Sequence, residues 1–163
     1  MKVDPSDLGA RLDRIESRTA IAELVANYCQ GVDNFDAEKF MGIWHEDAHF
    51  DMGPPIGASS GRQEIRRTLE TVIWTGWSET HHWTSNLVVR FDGPDHAHGV
   101  CDTCALGILA DGATQLIAAT YTDTYERREG EWRIAKRSVT LPFMGTMPGI
   151  VNVVAVAAGA DSS

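Results

Sequence analysis

The stretch SETHHWTSN, residues 78–86, sets His81 beside His82 in what reads as a β-strand. Successive strand side chains point to opposite faces, so the two imidazoles cannot share an environment. An imidazole facing an apolar interior can act as a general base, provided an acceptor holds its second ring nitrogen. Alternation alone does not say which of the two faces inward. A candidate acceptor is Asp33, near the end of a long helical stretch. A carboxylate there meets the negative end of the helix dipole, a cost of about 0.3–1 kcal/mol. Local chemistry alone assigns Asp33-Asn34 to the turn that follows; the functional alternative has Asp33 pointing into a cavity and orienting a histidine. Tyr28 lies five residues earlier, about 140° further round the helix, so the two can only flank a wide pocket. Arg137, on the last strand-like stretch, reads most simply as solvated or ion-paired.

Two further patterns fail on geometry. HEDAH, His45 to His49, matches H-E-x-x-H, which binds zinc only when both histidines share one face of a continuous helix. Here the helix is short and is expected to end near Asp47, with His49-Phe50-Asp51 entering a strand. No obvious third ligand follows. Cys101-Asp-Thr-Cys104 matches C-x-x-C, but in a strand that spacing sends the thiols to opposite faces. A redox pair sits at a helix start, and a zinc pair needs a second pair. Two small buried thiols are the better reading.

The elements that must position these residues follow from periodicity. Leu8, Leu12, Ile15, Ile21, Leu24, Val25, Tyr28 and Val32 recur at helical steps over about residues 6–33, with Ser17 as a candidate cap for a restart. Asp36 opens a short helix, AEKFMGIW, and HFDM reads as a strand ended by Gly53-Pro54-Pro55. Ser60 with Gln63 is a capping-box pattern opening a third helix, GRQEIRRTLETVIW. The helical period then stops. Strand-like stretches at 78–91, 96–109, 113–128 and 131–141 alternate with the turn signals DGPD, ADGA and REGE. Three helices followed by an antiparallel meander define an α+β domain. A long twisted sheet of this kind can curl around the helices and enclose a cavity.

Composition bounds the rest. The chain has 163 residues, 43% of them hydrophobic, enough for one domain with a real core. A net charge of −9 argues against nucleic acid or an anionic membrane as partner. No window approaches 18 apolar residues, so no membrane span is expected. The first residues lack the apolar core of a secretion signal, and three cysteines without one suggest reduced thiols in the cytoplasm. An apolar run at 151–158 reads either as a loose tail or as an arm that docks on another subunit. Trp44, Trp74, Trp77 and Trp83 read as core packing, with an apolar cavity wall as the alternative.

Four pieces in order, GVD at 31–33, IWHEDAHF at 43–50, ETHHWTSNL at 79–87 and TDTYERREGEWRIAKR at 122–137, carry a family resemblance. The chain resembles the SnoaL-like branch of the nuclear-transport-factor-2-like (cystatin-like) superfamily. Within it the nearest likeness is to hexachlorocyclohexane dehydrochlorinases, and more loosely to scytalone and bile-acid dehydratases. The resemblance implies an α+β cone-shaped barrel: about three N-terminal helices on a strongly curved, mainly antiparallel mixed sheet around an internal pocket. It implies a single domain over 1–145 with a C-terminal tail at 146–163. It places the catalytic pair on Asp33 and His82, leaving His81 as the outward neighbour, and the final-strand arginine on Arg137. It reads HEDAH as a helix end running into a strand, without metal. One position departs: Tyr28 stands where the dehydrochlorinases have lysine, which looks more like the bile-acid dehydratase. A phenol suits a carbonyl or a leaving hydroxide, whereas a lysine suits a leaving chloride.

The expected activity is therefore a cofactor-free elimination, as a dehydratase or dehydrohalogenase. His82 is the base, Asp33 its orienter, and Tyr28 and Arg137 polarise a carbonyl or assist the leaving group. The expected partners are a small apolar or polycyclic molecule and copies of the same chain, a trimer being favoured with a dimer as the alternative. The alternatives are a non-catalytic small-molecule binder, or an isomerase or cyclase on the same scaffold.

Overall fold

The computed structural model describes residues 5–150. The expected tail arm at 151–158 lies outside the described residues. A helix α1 (Pro5–Asp33) leads to a short α2 (Ala37–Gly42), then strands β1 (Trp44–Asp51) and β2 (Ala58–Ser60). Helix α3 (Arg62–Thr68) continues through a π-helical turn at Leu69–Ile73 into one last turn, Trp74–Gly76. Four long strands complete the chain: β3 (Trp77–Phe91), β4 (His96–Leu109), β5 (Thr114–Arg128) and β6 (Glu131–Thr146). They lie within one or two residues of the expected bounds, except that β6 runs five residues further.

The sheet has six strands in the order β2-β1-β6-β5-β4-β3. The meander β3 to β6 is antiparallel, as its turn signals imply, while β1 pairs in parallel with β6. The mixed, curved α+β arrangement is as expected, but the sheet is not closed into a barrel, because β2 and β3 remain its two edges. The helices cover one face. Ile21, Val25 and Val32 of α1 pack with Phe40, Met41, Trp44, Phe50, Ile65 and Leu69, all nearly inaccessible. Gly31 lets α1 and α2 approach closely: a Cβ there would meet the Phe40 backbone nitrogen at 2.8 Å.

Several local expectations shift. Helix α1 runs without a restart, and Ser17 is simply buried within it. Its apolar stripe outruns the sheet, so Leu8, Leu12 and Ile15 are exposed, each by more than half. Strand β1 begins at Trp44, so all of HEDAH is strand rather than the end of a helix. His45 Nε2 contacts the Glu126 carbonyl at 2.9 Å, and His49 Nδ1 contacts Ser60 Oγ at 3.0 Å. The third helix starts one residue late, with Gly61 as its cap; Glu64, not Gln63, reaches back to accept from the Ser60 N–H at 3.0 Å. Cys101 and Cys104 do lie on opposite faces, but only Cys101 is buried. Among the described residues no helix is long and apolar enough to cross a membrane.

Candidate active site

The end of α1 explains how an unfavourable carboxylate is kept there. The helix closes through Phe35 in the left-handed region, with φ 54°. Asn34 makes the local turn contact, donating from Nδ2 to the Gln30 carbonyl at 2.8 Å. Trp74 Nε1 donates to the Val32 carbonyl at 3.1 Å. Asp33 is thereby left free of the turn, and its side chain crosses to β3. There it accepts three hydrogen bonds: from Thr80 Oγ1 at 2.8 Å, from the His82 backbone N–H at 2.8 Å and from His82 Nδ1 at 2.5 Å. Hydrogen bonds to a charged group are each worth about 1.5–3 kcal/mol, so three of them outweigh the dipole penalty.

Burial pushes the Asp33 carboxyl upward, but the hydrogen bonds and charge from His82, with Thr80, more than reverse this and hold it below the usual carboxylate range. A group whose pKa falls on folding adds stability above its unfolded value and loses it as pH drops through the folded one. The stability difference between wild type and Asp33→Ala, followed by thermal melting against pH, should therefore stay level above about pH 5 and shrink below about pH 4.

In the neutral form of the ring, with Nδ1–H donated to the carboxylate, the lone pair is on Nε2 of His82. His82 and Thr80 line a cavity of about 310 Å³ between α1, the π-helical turn and the inner face of β3 to β6. Its walls are mainly apolar, among them Met52, Ile56, Ile73, Trp77 and Ile117. The imidazole side chain is 13% exposed. His81 is on the opposite, exposed face, its ring 5.0 Å from that of Trp83.

The four tryptophans divide. Trp44 is core, Trp74 holds the end of α1, Trp77 lines the cavity and Trp83 is half exposed outside. Trp77 can lie against the sheet only because Gly107 has no side chain: a Cβ there would come within 2.1 Å of the indole and 2.7 Å of the Glu79 carbonyl. Gly107→Ala is expected to cost about 1–3 kcal/mol, measured by denaturant unfolding, and to drive the indole toward the cavity.

Tyr28 is buried and borders the cavity, its ring 6.5 Å from that of His82. Burial raises its hydroxyl to about 12, against a partial lowering by Arg137. Arg137, however, does not line the cavity. It is fully buried behind two tyrosines, with Cζ 4.5 Å from the Tyr28 ring centre and 4.2 Å from that of Tyr121. Its Nε and Nη2 donate to Asp123 at 2.8 and 2.7 Å, and Tyr125 donates to the same carboxylate at 2.6 Å. Burial opposes the Arg137 charge, but Asp123 outweighs this and holds it protonated. Sequence reasoning did not single out Asp123 or Tyr121. Tyr121, Asp123 and Tyr125 alternate with exposed or half-buried residues, so their shared inward face was available as a signal.

The class defined is an α+β domain whose histidine–aspartate pair meets an apolar cavity under its helices. The chain belongs to the SnoaL-like domain family, which matches residues 13–138. It is 34% identical over 140 residues to hexachlorocyclohexane dehydrochlorinase 1 of Sphingobium indicum, covering 85% of this chain and 90% of the relative. The structure of the LinA-type3 dehydrochlorinase from Novosphingobium barchaimii superposes with a TM-score of 0.82 at 33% identity, over 88% of this chain and 98% of that one. A putative scytalone dehydratase from Novosphingobium aromaticivorans shares the fold, with a TM-score of 0.76 at 20% identity over 86% and 98% of the two chains.

Proposed function

We propose that this protein is a cofactor-independent lyase that eliminates HX from a small apolar cyclic molecule. The observation that carries the reading is the 2.5 Å contact between His82 Nδ1 and Asp33, with the rest of the imidazole at the cavity wall. His82 Nε2 removes a proton from carbon, the C–H electron pair forms the new double bond, and X departs from the neighbouring carbon. Asp33 fixes the tautomer and stabilises the imidazolium. A general base supplies about 10²–10⁴-fold, so orientation within the cavity supplies the remainder. Kinship to dehydrochlorinases supports elimination as the reaction class.

The test is chloride release from γ-hexachlorocyclohexane, with His82→Ala and His81→Ala compared. His82→Ala should abolish release above background, while His81→Ala should keep it within a few-fold of wild type. Equal losses at both positions, or release unaffected by His82→Ala, would overturn the reading. We further propose a homotrimer. Its support is a row of side chains across the outer sheet face, Trp83, Cys104, Ala118 and Phe143, which are register partners on four successive strands. Trp83 and Phe143 in this row are 49% and 73% exposed. Native mass spectrometry should give a trimer, and a monomer or a dimer would remove that proposal.

A further inference from the structure

Helix α1 carries a second apolar stripe, on the side away from its buried one. Ile21, Val25 and Val32 pack in the core, whereas Leu8, Leu12, Ile15, Thr19 and Ala22 are exposed. These five are spaced by four, three, four and three residues. That is the repeat by which one helix lays a continuous seam against another. Leu8, Leu12 and Ile15 supply most of the apolar surface. Thr19 donates its hydroxyl proton to the Ile15 carbonyl at 3.1 Å, which leaves its methyl group for the seam.

Charged rows border the stripe. Arg11 and Arg18 follow one side of it, and Glu16 and Glu23 the other, the positions that flank such a seam. All four are exposed, and none has a salt-bridge partner among the described residues. By contrast, Arg62, Arg66, Arg127, Arg128, Arg133 and Arg137 each meet a carboxylate. The chain has 23 acidic residues against 14 lysines and arginines, so Arg11 and Arg18 are not unpaired for want of carboxylates. Arg18 leans over the Phe91 ring, with Cζ 5.3 Å from its centre, a contact that leaves its N–H donors open.

What covers the stripe must match both rows. An anionic membrane would attract the arginines and repel the glutamates. A copy of α1 running antiparallel would set arginine against arginine. A copy running parallel sets each arginine beside the glutamate five residues further along its neighbour. Arg11 then meets Glu16 of the second copy and Arg18 meets its Glu23, and symmetry makes each pair twice. We propose that the exposed stripe of α1 from Leu8 to Ala22 is a self-association surface, which pairs with the same stripe of a second copy of this chain, the two helices parallel and in register. The stripe lies on the helical side of the sheet, so it is separate from the outer-face row of Trp83 and Phe143. None of its residues lines the cavity, so it does not depend on the elimination reading. A seam of two heptads is short. The pairs therefore form at high concentration, and dilute protein keeps whatever assembly the outer face gives.

The test is cross-linking through single cysteines in a Cys104→Ser background, since Cys29 and Cys101 are buried. In a parallel pair the same residue faces itself. Leu12→Cys, oxidised with copper phenanthroline, should give a two-chain band on a non-reducing gel. Ala10→Cys, exposed on another side of the same helix, should not. Sedimentation of the wild type should show particle mass rising with concentration. Arg11→Glu with Arg18→Glu should raise the concentration at which it rises by about tenfold, with circular dichroism unchanged. Adding Glu16→Arg and Glu23→Arg should restore it, which a general loosening of the helix would not. Leu12→Cys linking no faster than Ala10→Cys, or a mass independent of concentration, would overturn the surface. Linking of Leu12→Cys only to Thr19→Cys of a second chain, or charge reversal without effect, would overturn the parallel pairing.

Discussion

Asp33→Asn is expected to lower turnover by about 10³–10⁴-fold while leaving the fold intact. The size follows from which hydrogen bonds an amide can keep. In the wild type, Oδ1 accepts from Thr80 and from His82 Nδ1, and Oδ2 accepts from the His82 backbone N–H. An asparagine has one acceptor oxygen. With that oxygen toward Nδ1, its NH₂ faces the backbone N–H, and two donors confront each other at a cost of about 1–3 kcal/mol. With the oxygen toward the backbone N–H, its NH₂ faces Thr80 and Nδ1. The Thr80 hydroxyl can rotate to accept, and Nδ1 accepts once the ring carries its proton on Nε2. The second arrangement satisfies every group, so it is the one adopted. Its consequence is that the lone pair meant for the cavity is gone. The carboxylate charge that would stabilise the imidazolium is lost as well. Nitrogen NMR of the labelled imidazole should show the proton on Nδ1 in the wild type and on Nε2 in the variant, with circular dichroism unchanged. Turnover within tenfold of wild type would mean that the pair is not the base.

That pair also marks the limit of what the chain shows before it folds. The four long strands were legible because alternation and the turn signals are local, and they settle nearly every boundary. The α1 register was legible for the same reason. Strand β1 was misjudged at its start because Ile43 and Trp44 are apolar and buried under either reading. Pairing across the molecule decides between them, with Trp44 opposite Ile134 of the parallel neighbour β6. The exposed Leu8, Leu12 and Ile15 make the same point: a helical period says which residues share a face, and not how far the partner surface extends. At the site, residue chemistry alone placed Asp33 in the turn. Asn34 makes that turn, and the donors to Asp33 are 47 and 49 residues away. Family likeness named the two ends of the contact, but the contact itself is tertiary. The environment of Arg137 was hidden for the same reason. It depends on Asp123, paired across β5 and β6, and on Tyr28 arriving from α1.

Arg137→Met is expected to give the largest stability loss of any single substitution in the site, about 3–5 kcal/mol, or roughly 6–20 °C in melting temperature. Methionine fills much of the same space, so packing is not the main cost. The cost is Asp123, which is 1% exposed and would keep only the Tyr125 hydroxyl after losing both guanidinium bonds. A buried carboxylate left without its cation is what makes a broken pair expensive, more than the worth of the intact pair. Removing the charge on both sides should therefore restore stability. Arg137→Met with Asp123→Leu leaves the Tyr125 hydroxyl unpaired, a residual cost of about 1–3 kcal/mol that adding Tyr125→Phe removes. The triple variant should melt close to wild type. It should not recover turnover, because no cation then stands behind the Tyr28 and Tyr121 rings, 4.5 and 4.2 Å from the guanidinium carbon in the wild type. Without that charge the Tyr28 hydroxyl rises further and donates less well, since Arg137 is what draws it down against burial. Stability and turnover separating in the triple variant would show that Arg137 acts on the chemistry through the tyrosines. Turnover returning together with stability would reduce it to a structural ion pair.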